Sequence, residues 1–192
     1  GTLDNTFGTV PLEIAHAAVG HRIQGAAIAA GSNRPLTFAG ARTASIASGG
    51  SMWSDRVEIA VASQQDLAVS LHFAGPTGAA TGRMFSGQTS WVGQGDLVGV
   101  EGSEGFAIAT RSYPSAASYF LASVDVLAEG VGGVVVLGDS VSDGYGFVWP
   151  ADAESVAADR LYDRLAAVGT VADPAAGSLG LGPGPGRRPS AC

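Results

Sequence analysis

The sequence predicts a mainly β chain: an antiparallel β-sandwich of jelly-roll type over residues 1–128, then a single strand, turn and helix unit over residues 129–172. Three observations predict it. Short alternating or apolar runs recur through the first two thirds of the chain, each closed by a turn cluster. One uninterrupted β-branched run, Val-Val-Val-Leu at 134–137, stands between Gly133 and Gly138, as a central strand covered on both faces requires. From Asp173 onward glycine and proline dominate and no apolar period survives, so residues 173–192 are expected to be a disordered tail.

Taken in order, the expected strands lie at residues 10–14, 36–38, 45–46, 57–61, 67–73, 90–92, 106–109 and 119–126. The turns between them are marked by Gly31-Ser32-Asn33, Gly49-Gly50, Gly75-Pro76-Thr77-Gly78 and Gly93-Gln94-Gly95-Asp96, residues that tolerate positive φ or lock φ. Glu129-Gly130-Val131-Gly132-Gly133 marks the boundary, where the turns stop and the buried strand begins. A parallel strand calls for a helix after it. Asp152 can cap one, and Ala157, Leu161, Leu165 and Val168 then recur on a single helical face.

Composition narrows the function classes. The net charge is −7 and all ten basic residues are arginines scattered along the chain, Arg187-Arg188 being too short a pair to form a basic patch, so nucleic acid is not an expected partner. No apolar window reaches the roughly 18 residues of a membrane span. Cys192 is the chain's one cysteine, which leaves no internal disulfide and no cysteine metal site. Neither a cofactor nor a metal is expected. No signal peptide is visible at Gly1.

The strongest chemical signal is Ser140. It follows the 134–137 strand directly in Gly138-Asp139-Ser140, with Gly144 four residues on. A serine at the carboxyl end of a parallel strand faces a crevice, and the N–H groups of the following helix start can hold an oxyanion. Outside such a context Ser140 would serve only as a turn or helix cap, and Asp139 as a backbone tie.

This block resembles the first block of the SGNH, or GDSL-type, ester hydrolases. The resemblance implies that Ser140 is the nucleophile and an oxyanion N–H donor, that Asp139 supports the turn, and that Gly138 and Gly144 shape it. Upstream, Phe-Gly-Thr-Val-Pro-Leu at 7–12, Trp-Ser-Asp-Arg-Val at 53–57, Leu-Ala-Val-Ser-Leu at 67–71, Gly-Pro-Thr-Gly at 75–78 and Val-Asp-Val-Leu at 124–127 are similar to the β-sandwich domain of a bacterial, secreted subgroup of that family. The implied substrate is a carboxylic ester, on an acylated carbohydrate or a lipid. The chain departs from the pattern at Trp149-Pro150, which come early for a helix start, and at Gly-Arg-Met-Phe (82–85), where relatives carry an aromatic or histidine-containing strand.

The family's remaining blocks find no match. A serine needs a base within hydrogen-bond reach, because at its free pKa it is a poor nucleophile. The three histidines, His16, His21 and His72, all lie upstream on strand-like stretches, and none has an Asp three residues before it. Asparagine occurs only at Asn5 and Asn33, and Gly177 alone falls near the place of the second-block glycine, in a poor local match. The expectation is therefore a truncated hydrolase: an export signal and strand region lost before Gly1, and the catalytic sheet lost after its first strand. A single strand and helix cannot bury themselves, so self-association through the incomplete sheet is also expected. The alternative function is a binding module without catalysis, presenting Trp53, Trp91 or Tyr113 to a glycan or protein. Sandwiches need such residues inside, and burial is the expectation for all three.

Overall fold

The computed structural model describes residues 1–62, 65–83, 89–109 and 117–127. These contain twelve strands and no helix: β1 Thr2–Asp4, β2 Leu12–Gln24, β3 Ala27–Ile28, β4 Arg34–Pro35, β5 Ala44–Ile46, β6 Ser51–Trp53, β7 Leu67–Phe73, β8 Gly82–Arg83, β9 Trp91–Gly93, β10 Phe106–Ile108, β11 Ser118–Tyr119 and β12 Leu121–Ser123. All of their pairings are antiparallel. The mainly β expectation holds here. The 134–137 strand, the helix after it and the tail lie outside the described residues.

The architecture is organised by β2. Along one of its edges runs β7, in register from Ile14↔Phe73 to His21↔Leu67. Along the other sit β5, β4 and β3 in succession. The sequence reading stops this strand at residue 14, and the reason is a bulge. Register shifts between Ile14 and His16, so Leu12 and Ile14 point inward before it and Ala17 and Val19 after it. One extra residue reverses the alternation, which breaks the period-2 pattern without ending the strand. On β7 the alternation runs unbroken: Leu67, Val69, Leu71 and Phe73 pack on the core, and the strand lies where it was expected.

The core joins residues of more than one sheet. Leu3 of β1 and Phe120 cluster with Leu12, Ile14, Ala17, Val19, Leu36, Phe38 and Ile46. Burying each Leu or Ile side chain contributes roughly 1.5–3 kcal/mol, so this cluster is the main source of stability in the described part. Asn5 is also fully buried, and its Nδ2 donates to the carbonyls of Val10 at 2.9 Å, Ile46 at 3.0 Å and Ala47 at 3.2 Å. That side chain splices the loop before β2 to the end of β5.

Three further expected strands are corrected. At 36–38 the ladder lies just before, at Arg34–Pro35, and Phe38 makes only an isolated bridge to Ala41, closing a tight turn. Residues 57–61 alternate in exposure as a strand would, and Val57 packs on the core, but no ladder forms there. Extended backbone with a half-buried pattern is not a strand until a neighbour accepts its hydrogen bonds. The expected run at 119–126 is two strands, split at Phe120, whose φ is +60°. A bulky residue in the left-handed region turns the chain sharply, so β11 pairs with β8 whereas β12 pairs with β1. Burial of the Phe120 ring edge-on to Phe73, with centroids 5.1 Å apart, offsets the backbone cost.

Candidate functional site

Ser140, Asp139, Gly138, Gly144, Gly177 and Tyr113 lie outside the described residues. The chemistry-bearing group that the described residues do bring together is on the sheet face opposite the core. His16 and His72 are direct cross-strand partners in the β2–β7 ladder. Residues so paired project on the same face, with Cβ atoms about 4.5–5.5 Å apart. Their rings are tilted by 39° with centroids 6.2 Å apart. The bulge ahead of His16 is what brings it into this row. Without that extra residue, position 16 would continue the inward phase of Leu12 and Ile14.

Asp96 completes the group. Its Oδ2 bonds His16 Nδ1, and the aspartate comes from the segment after β9. An ionised carboxylate only accepts, so Nδ1 carries the proton of this bond, and in the neutral ring the lone pair is then on Nε2. The His16 bond, followed by the Val98 N–H, holds the Asp96 carboxyl below its ordinary range, against a smaller opposing desolvation. When the His16 and His72 rings carry a proton on both nitrogens, their positive charge acts in the same direction. Three further ties seat this segment: the Ile28 N–H on the Glu101 carbonyl at 2.7 Å, the Gly31 N–H on Glu101 Oε1 at 2.7 Å, and Asn33 Nδ2 on the Val98 carbonyl at 2.7 Å.

The remaining sequence candidates are structural. His21 lies on the same strand, but its Nε2 contacts the Ala60 carbonyl at 2.7 Å, which fastens the unpaired 57–61 stretch. Both asparagines direct Nδ2 at backbone carbonyls. Trp91 is half-buried beside Gly25. Trp53 overturns the expectation of burial. It is 64% exposed on β6, opposite Thr2, and Ser123 flanks Thr2 from the other side with the two hydroxyls hydrogen-bonded at 3.2 Å. The physical reason is phase: Met52, the middle residue of that three-residue strand, takes the core side and sends Trp53 out.

Sequence reasoning looked for an Asp three residues before a His and so missed the Asp96–His16 pair, whose members are 80 positions apart. The one local signal was Gly93-Gln94-Gly95-Asp96, which reads as a turn and nothing more. Chemically, an imidazole oriented by a carboxylate is a base or a metal ligand. No serine hydroxyl among the described residues is hydrogen-bonded to either ring, and no group of three or more His, Cys, Asp or Glu gathers there to cage an ion. No helix of the described residues is long and apolar enough to cross a membrane. Compared with known proteins, the chain matches no family model and no curated protein.

Proposed function

We propose that the chain combines a β-sandwich domain with the nucleophile block of an SGNH-type serine ester hydrolase of a secreted, bacterial kind. The observation that carries this reading is Gly138-Asp139-Ser140 with Gly144, set directly behind the 134–137 β-branched run and downstream of a β-rich region. A core drawing on both the β1 and the β2 sheets is what a sandwich requires, and it supports the reading. Ser140 Oγ attacks the acyl carbonyl of an ester, and its proton passes to a base. The N–H groups of Ser140 and Gly177 hold the oxyanion until the alcohol leaves with that proton, and water then releases the acid. The substrate is an acylated carbohydrate or a lipid ester.

Because the sequence has no match to the Asp-x-x-His and Asn blocks, turnover of p-nitrophenyl acetate by this chain is expected near background. A fluorophosphonate probe asks the sharper question. Labelling that disappears in Ser140→Ala supports Ser140 as the reactive nucleophile; equal labelling of both proteins overturns it.

A second reading rests on Trp53. An exposed indole in one row with the Thr2 and Ser123 hydroxyls, and with Asp125 bonded to Ser123 Oγ at 3.1 Å, offers an apolar platform rimmed by polar groups. That chemistry suits a sugar ring. On this reading, glycan capture is lost in Trp53→Ala and kept in Ser140→Ala; capture indifferent to Trp53 removes it.

A further inference from the structure

We propose that His16 and His72 form a two-histidine site for a divalent transition-metal ion of the Zn²⁺, Ni²⁺ and Cu²⁺ class, with Asp96 as the positioning residue for His16. Two of the three histidines of the chain stand at one rung of the β2–β7 ladder. Direct opposition across antiparallel strands holds two imidazoles on one face at a spacing that a single ion can bridge. The rings stand with centroids 6.2 Å apart. Metal–nitrogen distances of about 2.0–2.1 Å need that separation to close by roughly 1 Å, which small side-chain rotations supply.

The Asp96 contact does for His16 what carboxylates do for metal-bound histidines. It fixes the tautomer and orients the ring so that Nε2 is the nitrogen left to bind. His72 makes no ring hydrogen bond among the described residues, so no protein group there competes for its nitrogens. The next rung along the same face is Ala18↔Ser70, two small residues that leave room for the ion and its waters. His16 itself has 52% of its side chain exposed, which gives the ion access from solvent. Among the described residues two protein ligands are offered, so water completes the coordination shell there. Imidazole donors favour copper, nickel and zinc over calcium and magnesium, which take oxygen ligands.

Isothermal titration of the full chain with ZnCl₂ and NiCl₂ at neutral pH tests the site, with circular dichroism on each variant to verify the fold. One ion per chain is expected, with His16→Ala and His72→Ala each weakening the association at least about 10-fold. Asp96→Asn keeps both ligands and is expected to weaken binding by about 10-fold, and His21→Ala to leave it unchanged. Cu²⁺ supplies a spectroscopic check, since its electron paramagnetic resonance spectrum should show nitrogen ligation that vanishes in the His16→Ala, His72→Ala double variant. The proposal is overturned if the parent chain binds neither Zn²⁺ nor Ni²⁺. It is equally overturned if the folded double variant binds as the parent does, or if Ca²⁺ binds as tightly as Zn²⁺.

Discussion

The two faces of the β2–β7 pair are made of the same two strands and held by different forces. Inward, Leu12, Ile14, Ala17 and Val19 meet Leu67, Val69, Leu71 and Phe73 in a continuous apolar layer. Outward, His16, Ala18 and Gly20 stand beside Ala68, Ser70 and His72, and the segment from Asp96 to Glu101 is fastened over part of this face by polar contacts. Packing is non-directional and tolerates no loss of volume, whereas polar ties are directional and individually weak. The inner face should therefore carry the stability and the outer face the chemistry.

The sharpest break of that contrast is Ile14→Ala. Ile14 is 2% exposed, on the strand at the centre of the largest sheet, and removing its three outer carbons leaves a cavity that the surrounding core can only partly fill. A loss of about 2–5 kcal/mol is expected in urea unfolding. His72→Ala, at the residue next to Phe73, the cross-strand partner of Ile14, and so on the other face, is expected to cost less than about 1 kcal/mol. Similar losses from the two substitutions would mean that the outer face is a second core.

How the outer face is closed can be probed at Gly20. A methyl group built there would overlap Ile28 Cγ2 and approach Ser32 Oγ at 3.3 Å and Asn33 Cα at 3.4 Å. The 28–33 loop thus lies directly on the strand, and only glycine admits it. Gly20→Ala is expected to destabilise by about 1–3 kcal/mol through overpacking. Ile28→Ala removes the overlapping atom, so the double variant should be more stable than the two separate losses predict. Additive losses in the same unfolding assay would show that the loop is not seated on Gly20.

How legible this was depended on whether a signal was local. The seven residues of β7 announce themselves by strict alternation, and β9 and β10 by short runs beside glycine turns, each within about one residue of the observed strand. For β2 the bulge at residues 14–16 reversed the phase, so a 13-residue strand looked like a five-residue one. At Phe120 the positive φ belongs to a phenylalanine, a residue that no propensity scale places in a turn. Strands β1 and β6 are three residues each, too short to show a period, and they form through pairing with each other. The His16–His72–Asp96 group is legible only in three dimensions. One member comes from each of three separate segments, and the rung that joins the histidines is set by strand register, which single-sequence patterning does not report.

The polar side of the contrast also predicts where acid acts. Asp55 accepts hydrogen bonds from Thr37 Oγ1 at 2.7 Å and from the N–H groups of Gly40 at 2.8 Å and Ala39 at 3.0 Å. It holds a turn in which Ala39 takes a φ of +50°. The Thr37 hydroxyl first, then the Gly40 N–H and least the Ala39 N–H, lower its carboxyl from 3.8, and desolvation opposes them in part. A carboxyl depressed on folding adds stability that is present above its unfolded value and fades as pH falls through the folded one. Stability should therefore decline below about pH 4, with Asp55 contributing to the slope. The carboxylate is solvent-accessible, so its share is small and screened by salt. Asp55→Asn keeps an acceptor oxygen for one of these bonds but cannot titrate, and is expected to flatten the acid limb of a urea-midpoint series between pH 5 and about pH 2. The apolar contacts of Ile14 have no such dependence, so Ile14→Ala should displace the whole series downward and leave its slope alone. An acid limb unchanged in Asp55→Asn would assign the decline to other carboxylates and make this turn independent of its charge.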